Sequence, residues 1–219
     1  MAASYMVPDL PLFEKSLFPG SSTQPCIVRF EEEIKRSRFI TTLARADSRE
    51  RALALVEAVR NEFPDARHHC WAYAAGRPGD TAQVGQSDDG EPHGTAGRPM
   101  LNQLLYGGVG EVAAVTTRYF GGIKLGTGGL TRAYQNGVKE ALNLLPVTEK
   151  KILVRGLVEV DYAHADRFYR LIPQFQARVV GEEFGMKALF TLELPEDLFE
   201  ACRAALREVT DGASEMIES

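Results

Sequence analysis

Between Asp47 and Pro64 the apolar residues Ala52, Leu55, Val56, Val59 and Phe63 fall at i, i+3, i+4, i+7 and i+11, the stripe of an amphipathic helix. Asp47 or Ser48 caps it, with Glu50 three residues after Asp47, and Pro64 ends it. A longer stripe, Leu130, Ala133, Tyr134, Gly137, Val138, Ala141, Leu142 and Leu145, predicts a second helix that stops before Pro146. Met100, Leu101, Leu104 and Leu105 mark a shorter one between them. β-Branched and aromatic runs predict strands at Ile27–Phe30, Ile34–Ile40, Arg67–Ala74 and Glu111–Phe120. After Pro146 the pattern becomes strand 151–162, helix 163–172, strands 177–183 and 187–194, helix 195–208 and strand 215–217. That βαββαβ order is the ferredoxin-like pattern. The expected class is α+β in two domains, 25–147 and 148–219, preceded by a leader arm, 1–24, with no periodicity and a turn cluster at Phe18–Ser22.

Of the 20 glycines, 13 lie between Gly85 and Gly137. Glycine weakens ordered backbone, so this density points to left-handed turns or close approaches. The stretch holds two turns with chemistry in them. The first, Ser87–Gly97, carries Asp88, Asp89, Glu91 and His93. Such a set either binds a hard cation or acts as acid and base, or else braces the turn by accepting backbone N–H bonds. Its spacing is not that of an EF-hand. The second, Gly121–Gly129, runs from a strand into the long helix, with Arg118, Lys124 and Arg132 close by. Free amides of Gly126, Thr127, Gly128 and Gly129 at a helix start favour an anion. Neither a Walker A loop nor a convincing dinucleotide fingerprint is present. His68 and His69 alternate across a strand and do not converge on one ion, so no metal or other cofactor is assigned. The knot of Lys35, Arg36 and Arg38 is expected to be a solvated edge.

Composition changes this picture little. The 219 residues are 44% hydrophobic and 25% charged, with a net charge of −5, ordinary for a folded chain and contrary to a broad electrostatic grip on nucleic acid. From Glu193 onward acidic residues outnumber basic ones eight to two, which makes the last domain a poor nucleic-acid platform. Cys26, Cys70 and Cys202 are odd in number and form no CxxC pair, which suits a reducing compartment. There is no signal-peptide pattern and no apolar run of roughly 20 residues, so a cytoplasmic location away from membranes is expected. HExxH and nucleophile-elbow patterns are absent, which sets a peptidase aside.

The segments Ser87-Asp88-Asp89-Gly90-Glu91-Pro92-His93-Gly94-Thr95-Ala96-Gly97 and Thr117-Arg118-Tyr119-Phe120-Gly121-Gly122-Ile123-Lys124-Leu125-Gly126-Thr127-Gly128-Gly129-Leu130, in this order and spacing, resemble the YigZ/IMPACT family over roughly residues 25 to 218. The resemblance implies a first domain like elongation factor G domain IV and the GHMP kinases, and a second like domain V of that factor. It also implies a link to translation or its stress control. Eukaryotic relatives carry an extra N-terminal domain and restrain a starvation-sensing kinase; the 24-residue leader is too short for that domain, and the partnership is not carried over. Two expectations follow. One is a non-enzymatic module that docks on the ribosome, RNA or a translation-associated protein, with Arg118, Lys124 and Arg132 in contact. The other is a nucleotide- or phosphate-binding enzyme or sensor that uses the acidic turn and the glycine loop. The oligomeric state is left open.

Overall fold

The computed structural model describes residues 4–17 and 26–219; the Phe18–Ser22 turn cluster lies outside the described residues. The chain divides into a larger unit, Tyr5–Lys150, and a smaller one whose body is Lys151–Ser219. Both mix helix and strand, so the fold is α+β with two parts.

The larger unit is built on a five-stranded antiparallel sheet. Its strands are β2 (Ile27–Ile34), β3 (Ser37–Arg45), β4 (His68–Ala74), β5 (Val84–Ser87) and β6 (Val112–Tyr119), in the order β2-β3-β6-β4-β5. Helix α1 (Arg49–Glu62) covers one face with Leu55, Val56 and Val59, capped by Ser48, whose side chain accepts from the Arg51 amide. Helices α2 (Gly97–Tyr106) and α3 (Thr127–Leu144) cover the other, where Met100, Leu104, Tyr134 and Val138 meet Phe39, Leu43, Cys70 and Ala114. Helices on both faces explain why β6 is buried from Val112 to Arg118 and lacks an alternating polar pattern.

The lack of periodicity in residues 1–24 suggests a disordered or loosely docked arm pinned in places by its apolar residues, and part of it is instead built into the sheet structure. Strand β1 (Ser4–Pro8) pairs with β7 (Val147–Lys151), and the Met6 carbonyl accepts from the Gly110 amide at 2.9 Å. Val7 and Phe13 are both 1% exposed, Phe13 within the α1 cluster. Periodicity hides this order, because a five-residue strand that ends at Pro8, with Pro11 three residues on, shows no repeat long enough to count.

The smaller unit follows β8 (Leu153–Val160), α4 (Ala165–Leu171), β9 (Arg178–Phe184), β10 (Ala188–Pro195), α5 (Phe199–Val209) and β11 (Met216–Glu218). Its sheet order, β11-β8-β10-β9, is antiparallel throughout, the ferredoxin-like arrangement. One face holds Phe168, Phe190, Leu192 and Leu206. The β8 pattern alternates buried and exposed from Gly156 to Val160, so the opposite face meets solvent.

Phe13 tests whether the leader is integral to the larger unit. Phe13→Ala is expected to cost about 3 kcal/mol by urea denaturation, the usual loss for a buried aromatic; a loosely docked arm would lose less than about 0.5 kcal/mol.

Candidate functional site

The acidic turn follows β5, and its carboxylates have separate jobs. Asp88 Oδ1 accepts from the amides of Ala96 (3.0 Å) and Gly97 (2.8 Å), and Oδ2 accepts from that of Gly94 (2.8 Å). It therefore supplies the cap that α2 lacks locally, since Ala96 at the N-cap has no side-chain acceptor. Asp89, in the left-handed region at φ 43°, accepts from the His69 amide at 2.7 Å and pairs with Arg60. His93 is fully exposed, with Nδ1 3.8 Å from Asp88.

Glu91 is different. It is 8% exposed, and its Oε1 accepts from Arg118 Nη1 at 2.7 Å and from the Tyr134 hydroxyl at 2.8 Å. Burial pushes the Tyr134 hydroxyl pKa far up, so it stays a proton donor. Burial likewise raises the Cys70 thiol, which lies 2.9 Å from the Asp88 carbonyl and 3.3 Å from Tyr134; it is no nucleophile. Desolvation lowers the His69 pKa, leaving a neutral ring against the Thr117 hydroxyl at 3.1 Å.

Arg118 is the last but one residue of β6, between Phe39 of β3 and His68 of β4 in the register. Its guanidinium lies 5.4 Å from the Phe39 ring centre and 5.7 Å from that of Phe120. The residue is 6% exposed, and its Nε is buried without a hydrogen-bond partner. The glycine loop starts three residues after Arg118. A Cβ on Gly121 would stand 2.0 Å from the Arg36 carbonyl carbon and oxygen, so only glycine lets the loop press on the β2–β3 turn; its amide donates to Ser37 Oγ at 3.2 Å. Gly126 then opens α3 at φ 75° with no side-chain cap, leaving the first-turn amides without intrahelical acceptors.

These parts meet at a cleft of about 450 Å³ lined by Glu91, Arg118, Lys124, Gly126 and Thr127 together with Arg67, His68 and the half-exposed Phe120. Five of the expected site residues thus share one cavity. Asp88 and Asp89 do not line it: they brace the turn that delivers Glu91. Gly129 and Arg132 line a neighbouring cleft, Gly128 lines neither, and His93 stands outside both. Arg67, Phe120 and Tyr134 were not expected in the site. Tyr134 belongs to an apolar helical stripe and reads as core, although its spacing from Arg132 and Gly126 places it on the first turns of α3. Among the described residues no group of three or more His, Cys, Asp or Glu side chains is placed to hold a metal ion, and no helix is long and apolar enough to cross a membrane.

The arrangement can hold an anion. It offers one paired carboxylate, cations at Arg67 and Lys124 with no acidic partner among the described residues, open helix amides and an aromatic face.

Asp88 carries a pH prediction. Burial alone would raise its pKa, but the bonds from the Gly94, Gly97 and Ala96 amides outweigh that and hold the carboxyl below the usual range. A depressed folded pKa means stability that is full above the unfolded value of about 3.9 and lost as pH falls through the folded one. Asp88→Asn should therefore lose about 1–2 kcal/mol at neutral pH and flatten the acid limb of the stability curve. Denaturation midpoints followed with pH would check this; an unchanged acid limb would remove Asp88 as the brace.

Comparison with known proteins shows what the chain is similar to. Residues 35–142 match the Impact N-terminal domain, which encloses both turns, and residues 158–213 match a domain of unknown function, DUF1949. The IMPACT family member YigZ of Escherichia coli (strain K12) is 45% identical over 186 residues, 85% of this chain and 91% of that protein. An IMPACT family member from Haemophilus influenzae is 44% identical over 185 residues, 84% of this chain and 90% of its own length. A crystal structure titled as a hypothetical protein superposes with a TM-score of 0.71 at 40% identity, covering 99% of this chain and 98% of that one. With the Impact domain spanning the braced acidic turn and the glycine loop, and relatives alike along nearly their full length, the chain belongs to the IMPACT family.

Proposed function

We propose that this protein is a non-enzymatic, translation-associated regulator that docks on RNA, on or off the ribosome, through the cleft between the acidic turn and the start of α3. The observation that carries the reading is the convergence of Arg67, Arg118, Lys124 and the uncapped α3 amides around an exposed Phe120. Cations and helix amides suit phosphate, and an exposed aromatic ring suits a base. Family membership supports the link to translation, which the resemblance of both domains to elongation-factor domains implies.

The net charge of −5 is less of an obstacle than it looks. Residues 1–150 hold 17 basic and 17 acidic side chains, so the whole acidic excess lies in 151–219. In the cleft itself Glu91 is neutralised by Arg118, while Arg67 and Lys124 have no acidic partner among the described residues.

The uncapped start of α3 also favours a second reading, a nucleotide- or phosphate-binding enzyme or sensor. Against it stands the placement of Asp88 and Asp89, which brace backbone and leave only an ion-paired Glu91 in the cleft. Such a set offers no carboxylate free to hold magnesium or to take a proton.

Ribosome co-sedimentation across a salt series tests the proposal. Binding should weaken steeply as salt rises, and Lys124→Ala should lower the slope of log affinity against log salt by roughly one. No association at low salt would overturn the reading. Calorimetric titration with nucleoside triphosphates and magnesium separates the alternatives: no heat is expected, and a stoichiometric heat would favour the sensor.

A further inference from the structure

A second cleft, of about 550 Å³, lies on the other side of Leu125, which lines both. One wall is a stripe of α3, Gly129, Arg132, Asn136 and Lys139, spaced by three, four and three residues and so on one helix face. The facing wall is the end of β2 with Lys35 at the turn. Lys35 and Arg36 form the two-residue β2–β3 turn, both left-handed at φ 48° and 63°, flanked by the Ile34–Ser37 pair. Turns of this type favour Asn-Gly, and a side chain there costs roughly 1–2 kcal/mol per residue. Two long cations are nonetheless held there, and Gly121 seats that turn against the glycine loop of the first cleft.

Lys35, Arg132 and Lys139 have no acidic partner among the described residues. The one acid in the lining is Glu32. Burial raises its carboxyl pKa, the Asn136 amide at 3.0 Å opposes that, and Glu140 adds to the rise. The cleft therefore presents three positive charges against one carboxylate, over a floor that includes Ile34 and Leu125.

We propose that the two clefts form one continuous groove for single-stranded RNA, with phosphates following Lys124, Arg132, Lys35 and Lys139 and an unpaired base stacked on Phe120. This rests on the RNA reading of the first cleft. Along α3, Thr127 to Lys139 spans about 18 Å, a track for several nucleotides rather than for one phosphate. A duplex would hide its base faces from Phe120, whereas a single strand exposes them.

Fluorescence anisotropy on the full chain, with labelled oligouridylates from dinucleotide to octanucleotide, tests the groove. The wild type should bind the octanucleotide about tenfold or more tightly than the dinucleotide, and Lys35→Gln with Lys139→Gln should remove most of that gain and lower the salt slope by about 1.4, two single-strand contacts at roughly 0.7 each. The dinucleotide should bind both proteins alike. If the double variant holds the octanucleotide as the wild type does while Lys124→Ala still weakens it, the groove is wrong and the first cleft stands. If the wild type binds no oligonucleotide, both readings fall. If polyglutamate of equal charge displaces the octanucleotide as well as unlabelled RNA does, the groove recognises charge alone and the single-strand proposal is overturned.

Discussion

The Glu91 carboxylate sits in the larger unit almost without water, held by Arg118 at 2.7 Å and by the Tyr134 hydroxyl at 2.8 Å. Three elements meet there: the acidic turn brings the carboxylate, the central strand β6 the guanidinium, and α3 the phenol. Removing one partner from such a buried pair typically costs about 3–5 kcal/mol, because the other charge is left without compensation. The contact therefore fixes the distance between the acidic turn and the start of α3. It also sets the electrostatics of the cleft, since the one carboxylate in its lining is already satisfied.

Around this contact the other polar groups take supporting positions. Asp88 straps three amides at the start of α2, and Asp89 ties the turn to α1 through Arg60 and to β4 through the His69 amide. A turn rich in carboxylates ends up with one of them facing the cavity. Its composition resembles a metal site or an acid–base pair, but most of its oxygen atoms accept backbone and arginine donors. Among the described residues, the unpaired positive charge of the cleft comes from Arg67, Lys124 and the α3 amides.

Periodicity revealed α1, α3 and the βαββαβ order because each shows several repeats of an apolar spacing. It missed β1, β5 and β7, which are four or five residues long and lie among polar, glycine or proline residues. The candidate site was legible by residue type: Glu91, Arg118, Lys124, Gly126 and Thr127 all reached one cleft. Which carboxylate would enter it was not, because side chains two residues apart in an irregular turn have no fixed relation. Tyr134 was hidden for a different reason. An aromatic ring in an apolar stripe looks like core, and only the third dimension shows that its hydroxyl ends on Glu91. Lys35 and Arg36, apart from the glycine loop by more than 80 residues, meet it through the contact at Gly121, which no local spacing reveals.

That contact has a consequence for anyone who would transplant the site. At Gly121 the loop after β6 meets the hairpin without a side chain; it rests its bare backbone on the Arg36 carbonyl. The hairpin tip is thus a mould and the glycine loop its cast. A graft of the loop onto another scaffold has to carry the two-residue turn with it, and a longer hairpin would leave the loop without the surface that shapes it.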